Sequence, residues 1–148
     1  IALQLKEISK FKNKRKSSNN ILFVMEPIRK KWGNSNMPGE IQSLEYFINN
    51  ISKLHLDKNV QILIKPHPSD EDGKYKDLIA KYKNNLRLRV DECSSLPELI
   101  GWSDVVVGCQ SYAMVVASAA GKKVISSLPP IAPKCILPQK EVIHLSEL

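Results

Sequence analysis

The chain has no apolar run long enough to cross a bilayer. Its longest stretches, Val105–Val107 and Ala113–Ala120, fall far short of the ~20 residues a membrane-spanning helix needs. Cysteine is scarce. Cys93, Cys109 and Cys135 are far apart, odd in number and form no CxxC pair, which argues against a disulfide framework and for a reduced, cytoplasmic setting. The nucleotide motifs GxGxxG and GxxxxGK[ST] are missing, so neither a standard dinucleotide site nor a P-loop is expected. GxSxG is missing too, which weighs against an α/β-hydrolase. His55, His67 and His144 have no partners at metal-ligand spacing, so no metal and no cofactor is expected. The sequence begins at Ile1 without a methionine or a signal-peptide pattern, and we expect a piece of something longer.

What is present is an ordinary globular composition: 148 residues, 43% hydrophobic and 25% charged, enough for one domain. The net charge of +7 is unevenly spread. Lys6, Lys10, Lys12, Lys14, Arg15 and Lys16 against Glu7 place +5 of it in residues 1–16, ahead of the linker-like stretch 17–20. Residues 1–20 therefore read as a basic arm or linker. A contact with acidic lipid headgroups is one use for it, and a solvated helix or linker is the plainer one. Only Phe11 interrupts the cations, and no DNA-binding motif occurs, so no nucleic-acid partner is expected.

From residue 21 the pattern is regular. Ile21–Met25, Val60–Ile64, Leu86–Val90, Asp104–Gly108 and Lys123–Ser127 read as strands, and Glu141–Leu145 as a short sixth. Apolar spacing predicts helices over Glu40–Leu54 and Gly73–Asn85. Ser95 and Glu98 form a capping box for a helix ending near Trp102, and Ser111 can cap another that runs to Gly121. Strands alternate with helices, and the inner strands are apolar throughout. This predicts an α/β domain over 21–148: a Rossmann-like, doubly wound parallel sheet of five to six strands with helices on both faces. Leu86–Val90 alternates and should lie toward an edge. Ligands of such sheets bind at the carboxyl ends of the strands.

Two of those ends carry chemistry. In Lys65-Pro66-His67-Pro68, the prolines pin a histidine at a strand tip, where its ring can donate to a phosphate oxygen and Lys65 adds charge. The plainer reading is a rigid turn. In Gly108-Cys109-Gln110-Ser111, the glycine lets a ligand approach, and the next helix offers free amides beside a hydroxyl. There the plainer reading makes Ser111 an N-cap and Cys109 an inert filler. Asp70-Glu71-Asp72 spells a metal-type DxD but fits better as a helix start.

This order of motifs resembles the C-terminal half of a GT-B glycosyltransferase, in particular the bacterial sialyltransferases and capsule or lipooligosaccharide transferases. Teichoic-acid glycerophosphotransferases carry a similar histidine–proline loop. The resemblance covers about residues 21–145. It implies that His67 and Pro68 are the HP motif, with His67 catalytic, and that Ser111 is the serine motif. Lys65, Gly108 and Gln110 would complete the donor-phosphate site, with Glu26, Pro27, Cys109 and Tyr112 as further nucleotide contacts. The substrates implied are a CMP- or UDP-linked sugar and a surface-polysaccharide or glycolipid acceptor, at the cytoplasmic face of the membrane. The acceptor domain and the catalytic base would lie outside the chain, leaving it inactive alone. Two positions depart from the pattern. Val116 stands where many GT-B domains hold the ribose with a glutamate, and Glu71-Asp72-Gly73 follows the HP motif rather than preceding it. A sugar-nucleotide epimerase-like domain and a non-catalytic interaction domain are the alternatives.

Overall fold

The computed structural model describes residues 1–11, 20–28, 31–34, 36–57 and 59–148. Six parallel strands form one sheet in the order β3-β2-β1-β4-β5-β6: β1 Asn20–Val24, β2 Gln61–Lys65, β3 Arg87–Val90, β4 Val105–Gly108, β5 Lys123–Ser126 and β6 Ile143–His144. Leu22 pairs with Leu63 on one side and Val106 on the other, so β1 lies inside the sheet. The α/β, doubly wound reading of the sequence is the fold observed.

Successive strand residues face opposite ways, and each face has its own core. Ile21 and Phe23 with Ile62, Ile64, Val105 and Val107 pack under α2 (Gly39–Asn50) and α3 (Lys76–Tyr82), through Leu44, Phe47, Ile48 and Leu78. Leu22, Val24, Leu63, Val106 and Val124 pack under α1 (Ala2–Lys10), α4 (Leu96–Trp102) and α5 (Tyr112–Ala119). Phe47 is fully buried, 5.6 Å from Phe23 between ring centroids. Burial of a side chain that size stabilises by about 1.5–3 kcal/mol. β3 is an edge strand as expected, with Arg87 and Arg89 exposed and Leu88 buried between them.

Helix ends follow the local chemistry. Ser95 accepts the Glu98 amide at the start of α4, as the capping box predicts. At the end of α5, Gly121 adopts φ +80 while its N–H reaches Ser118 and that of Lys122 reaches Ala117, a Schellman closure. The helix expected over 73–85 is shorter. It starts at Lys76, because residues 70–75 form a hydrogen-bonded turn, so Asp70–Asp72 are not its first-turn acids; Asp77 is. The helix expected over 40–54 tightens into a 3-10 turn at Ile51–Leu54, closed by His55 in the left-handed region.

The reading of residues 1–20 as an arm or linker is corrected for 2–10. Those residues are a helix docked on α4, with Ile8 only 4% exposed against Leu99 and Ile100. A Cβ on Gly101 would meet the Ile8 carbonyl at 2.8 Å, which shows how closely the two helices approach. The cations at 12–16 fall outside the described residues. Of the others, Lys10 pairs with Glu7 at 3.0 Å on the surface. No described helix is long and apolar enough to cross a membrane.

Candidate functional site

The strand order reverses direction between β1 and β4, and the crevice outside their carboxyl ends is where such sheets bind ligands. Glu26, two residues past β1, bridges that crevice. Its carboxylate accepts the Cys109 amide at 2.6 Å and the Gln110 amide at 3.1 Å, both just past β4. Burial is the dominant influence and holds the Glu26 carboxyl above its ordinary range, although the two amides pull the other way. One flank of this bridge opens on a cavity of about 240 Å³ lined by Glu26, Pro27, Trp32, Gln110 and Leu128, among others. A larger cavity, about 580 Å³, lies at the opposite end of the sheet around His55, Asp57 and Arg87.

Past β4, Ser111 has the extended backbone of an N-cap (φ −78, ψ 158), but its hydroxyl caps nothing. Its Oγ is buried with no hydrogen-bond partner among the described residues. Such an orphan costs about 1–3 kcal/mol unless something else satisfies it. Beside it, the Tyr112 and Ala113 amides also lack partners among the described residues, as the first N–H groups of a helix do. Glu26 thus takes the loop amides and leaves those of α5 open. Gly108 corrects one expectation. It is a packing glycine, since a Cβ there would meet Val24 at 2.9 Å and the Met114 sulfur at 3.0 Å, rather than an opening for a ligand. Cys109 is 2% exposed, and burial followed by the Glu26 charge pushes its thiol far up, which disfavours the thiolate a nucleophile needs. Gln110 is exposed and its Oε1 accepts the Ile136 amide at 3.2 Å. Tyr112 is 57% exposed.

Past β2, the His67 loop is built from its backbone outward. The His67 N–H donates to Asp70 Oδ2 at 2.9 Å, and the Asp70 N–H returns to the His67 carbonyl at 2.9 Å. The same carboxylate accepts the Tyr75 hydroxyl at 2.6 Å and the Lys74 ammonium at 2.9 Å, and Lys74 lies 3.7 Å from buried Glu40. Burial alone would raise Asp70. Its hydroxyl, ammonium and amide donors outweigh burial and hold it below its ordinary value. His67 Nδ1 accepts the Ser69 backbone N–H at 3.1 Å and lies 2.8 Å from Ser69 Oγ. A backbone N–H can only donate, so the neutral ring carries its proton on Nε2. That nitrogen has no partner among the described residues and is the donor the loop presents. The loop is the hydrogen-bonded turn of the plainer reading, and its ring bonds within that turn rather than to a helix end.

Lys65 corrects a second expectation. It does not reach the His67 tip: its ammonium donates to the Ser94 carbonyl at 3.0 Å, toward the β3 side of the sheet. Pro68 is exposed at the tip. His67 and Ser111 follow strands that flank β1, so they share the carboxyl edge about 10 Å apart in strand spacing. Neither lines the two cavities above, and Glu26 follows the strand that lies between theirs. Val116 is 2% exposed inside the apolar cluster, so α5 offers no carboxylate. Sequence reasoning missed the roles of Asp70 and Trp32 altogether. Tyr75 is the signal for Asp70 in retrospect, being a polar-tipped aromatic five residues on that is almost wholly buried.

No family model matches the chain, and no curated protein matches it. Among solved structures it is similar to the KpsC β-Kdo 2,7 transferase of Thermosulfurimonas dismutans, at TM-score 0.51 and 17% identity, over 99% of this chain and 48% of that one. It is also similar to the KpsC β-Kdo 2,4 transferase of that organism, at TM-score 0.44 and 16% identity, over 84% and 42%. The fold is glycosyltransferase-like. At this identity the likeness extends to the fold alone. The chain spans about half the length of the structures it matches.

Proposed function

We propose that this chain is the donor-binding domain of a glycosyltransferase. It binds a CMP- or UDP-linked sugar for transfer to a surface polysaccharide or glycolipid at the cytoplasmic face of the membrane. The observation that carries this reading is the buried, unpartnered Ser111 hydroxyl beside the open amides of α5, at the carboxyl edge of the sheet. Those groups hold the donor phosphate, with the positive end of the helix toward it. His67 donates from Nε2 to the same phosphate from the β2 side. Donors concentrated there stabilise the charge that grows on the phosphate as the sugar–phosphate bond breaks. The acceptor and the catalytic base belong to a second domain, so the chain alone binds donor and transfers nothing.

Calorimetric titration with CMP and UDP tests the assignment. Wild type should bind, and His67→Ala and Ser111→Ala should each weaken binding about tenfold, the size of one charge-assisted hydrogen bond. Their melting temperatures should stay close to wild type. Normal nucleotide binding by both variants would remove the phosphate site from these residues. An epimerase-like domain or an empty interaction domain would then be the readings to pursue.

A further inference from the structure

All three thiols are free, and two of them meet. Cys109, just past β4, and Cys135, in the loop after β5, pack in one small apolar cluster with Ile28 and Leu128. The Cys135 thiol donates to the Cys109 carbonyl at 3.5 Å, and the Ser126 hydroxyl donates to the same oxygen at 2.6 Å. The two cysteines line adjoining cavities. Cys109 lines the 240 Å³ cavity with Glu26 and Lys31, and Cys135 lines one of about 380 Å³ with His144. Leu128 and Pro133 form a wall of both. Residues 127–142 contain no helix or strand. Cys135 can therefore settle to the ~4.4–6.8 Å Cα separation of a bridge without breaking the sheet.

The two thiols differ in access. Cys135 is half-buried beside its cavity, where a small oxidant can reach it. Cys109 is buried, and its thiolate is disfavoured. Its S–H nevertheless lies between the Ser43 hydroxyl and the Glu26 carboxylate and donates to the latter. Burial holds that carboxyl above its ordinary range, which makes it a stronger base than an exposed glutamate.

We propose that Cys109 and Cys135 are a redox pair, closed to an internal disulfide by a low-molecular-weight disulfide such as oxidised glutathione, with Glu26 as the proton acceptor. The Cys135 thiolate attacks one sulfur of the oxidant, and the first glutathione thiolate leaves. The Cys109 sulfur then attacks Cys135 as its proton passes to Glu26, and the second glutathione thiolate leaves. Two protein thiols are oxidised, and one glutathione disulfide is reduced to two thiols. The bridge fastens the loop to the end of β4, where Gln110 already holds the Ile136 amide one residue before Ser111. Reversible bridges of this kind are the ones found in reducing compartments. The pair goes beyond the donor-site reading and does not depend on it.

The test uses the full 148-residue chain carrying Cys93→Ser, because Cys93 is exposed and falls with Cys109 in one tryptic fragment, 90–122. This parent is incubated with oxidised glutathione and followed by intact mass and peptide mapping. The expected product is a monomer about 2 Da lighter, with fragment 90–122 joined to 135–140. Adding Cys109→Ser should stop the reaction with one glutathione on Cys135. Adding Cys135→Ser should leave the chain without glutathione. Adding Glu26→Gln should give the same mixed disulfide and resolve it about tenfold more slowly or worse. Wild type, run beside them, should close the same bridge and carry one glutathione on Cys93, which frees the result from the Cys93 replacement. A parent that stays reduced, keeps glutathione on Cys135 without closing, or links between chains overturns the pair. Resolution by Glu26→Gln at the parent's rate overturns the role of Glu26. Nucleotide binding is not read in any arm, so failure here leaves the donor-site reading standing.

Discussion

Asp70 and Glu26 are two carboxylates on adjacent strand-end loops, and they are held in opposite ways. Asp70 is saturated: a backbone amide, a tyrosine hydroxyl and a lysine ammonium converge on it, its side chain is 4% exposed, and its pKa falls. Glu26 is held less firmly: two backbone amides and the Cys109 thiol donate to it, but burial dominates, and its pKa rises. A carboxylate whose partners outweigh its burial is a structural tie. One whose burial outweighs its partners is kept at a cost, and it lies beside a cavity. The difference separates the residue that builds the His67 loop from the residue that lines a cavity.

Removing the tie should have the largest effect. Asp70→Ala strands the His67 amide, the Tyr75 hydroxyl and Lys74, and should lower unfolding stability by about 3 kcal/mol in urea titration. Glu26→Gln should change stability by about 1 kcal/mol or less in the same measurement, because relief from burying a charge offsets the altered amide contacts. Equal losses in the two variants would erase the distinction.

The pH dependence sharpens it further. Asp70 lies below its ordinary value of 3.8 when folded, so its contribution is present above that pH and is lost as pH falls through the folded value. Glu26 lies above its ordinary value of 4.5 when folded, so its contribution is complete below that pH and is lost as pH rises through the folded value. Stability followed by denaturation should therefore lose part of its acid limb in Asp70→Asn. In Glu26→Gln it should lose the fall that begins above 4.5. The smallest effect belongs to Ser69→Ala. It removes a hydroxyl beside His67 Nδ1 but keeps the backbone N–H that fixes the tautomer. About 0.5–1 kcal/mol of stability and little of the nucleotide affinity should be lost.

Much of the architecture is legible in the sequence, because buried parallel strands are apolar on both faces. Leu22 and Phe23 enter different cores, and only an unbroken run supplies both. The edge position of β3 was equally visible in the alternation of Arg87, Leu88 and Arg89. What was hidden depended on contacts between distant segments. Six cations near the start masked Ile8, the buried residue of α1. The periodicity through Tyr75 suggested a longer helix because a buried aromatic looks alike in a helix and in a turn tied to Asp70. The Glu26 bridge spans 83 residues of sequence and joins strands that become neighbours only through the crossover. At the site, His67 and Ser111 could be picked out from their prolines and helix start. The commitment of Lys65 to Ser94 and the packing role of Gly108 required the neighbouring strands to be in place.

The most direct measurement is a ¹⁵N NMR titration of the chain with CMP, CDP and UDP. It follows the amides of Ser111, Tyr112 and Ala113, the His67 ring and, as a control, the tied amide of Asp70. Saturable shifts at α5 and His67, with Asp70 still, are the result predicted. Unmoved signals at α5 and His67 at millimolar nucleotide would contradict the donor-site account.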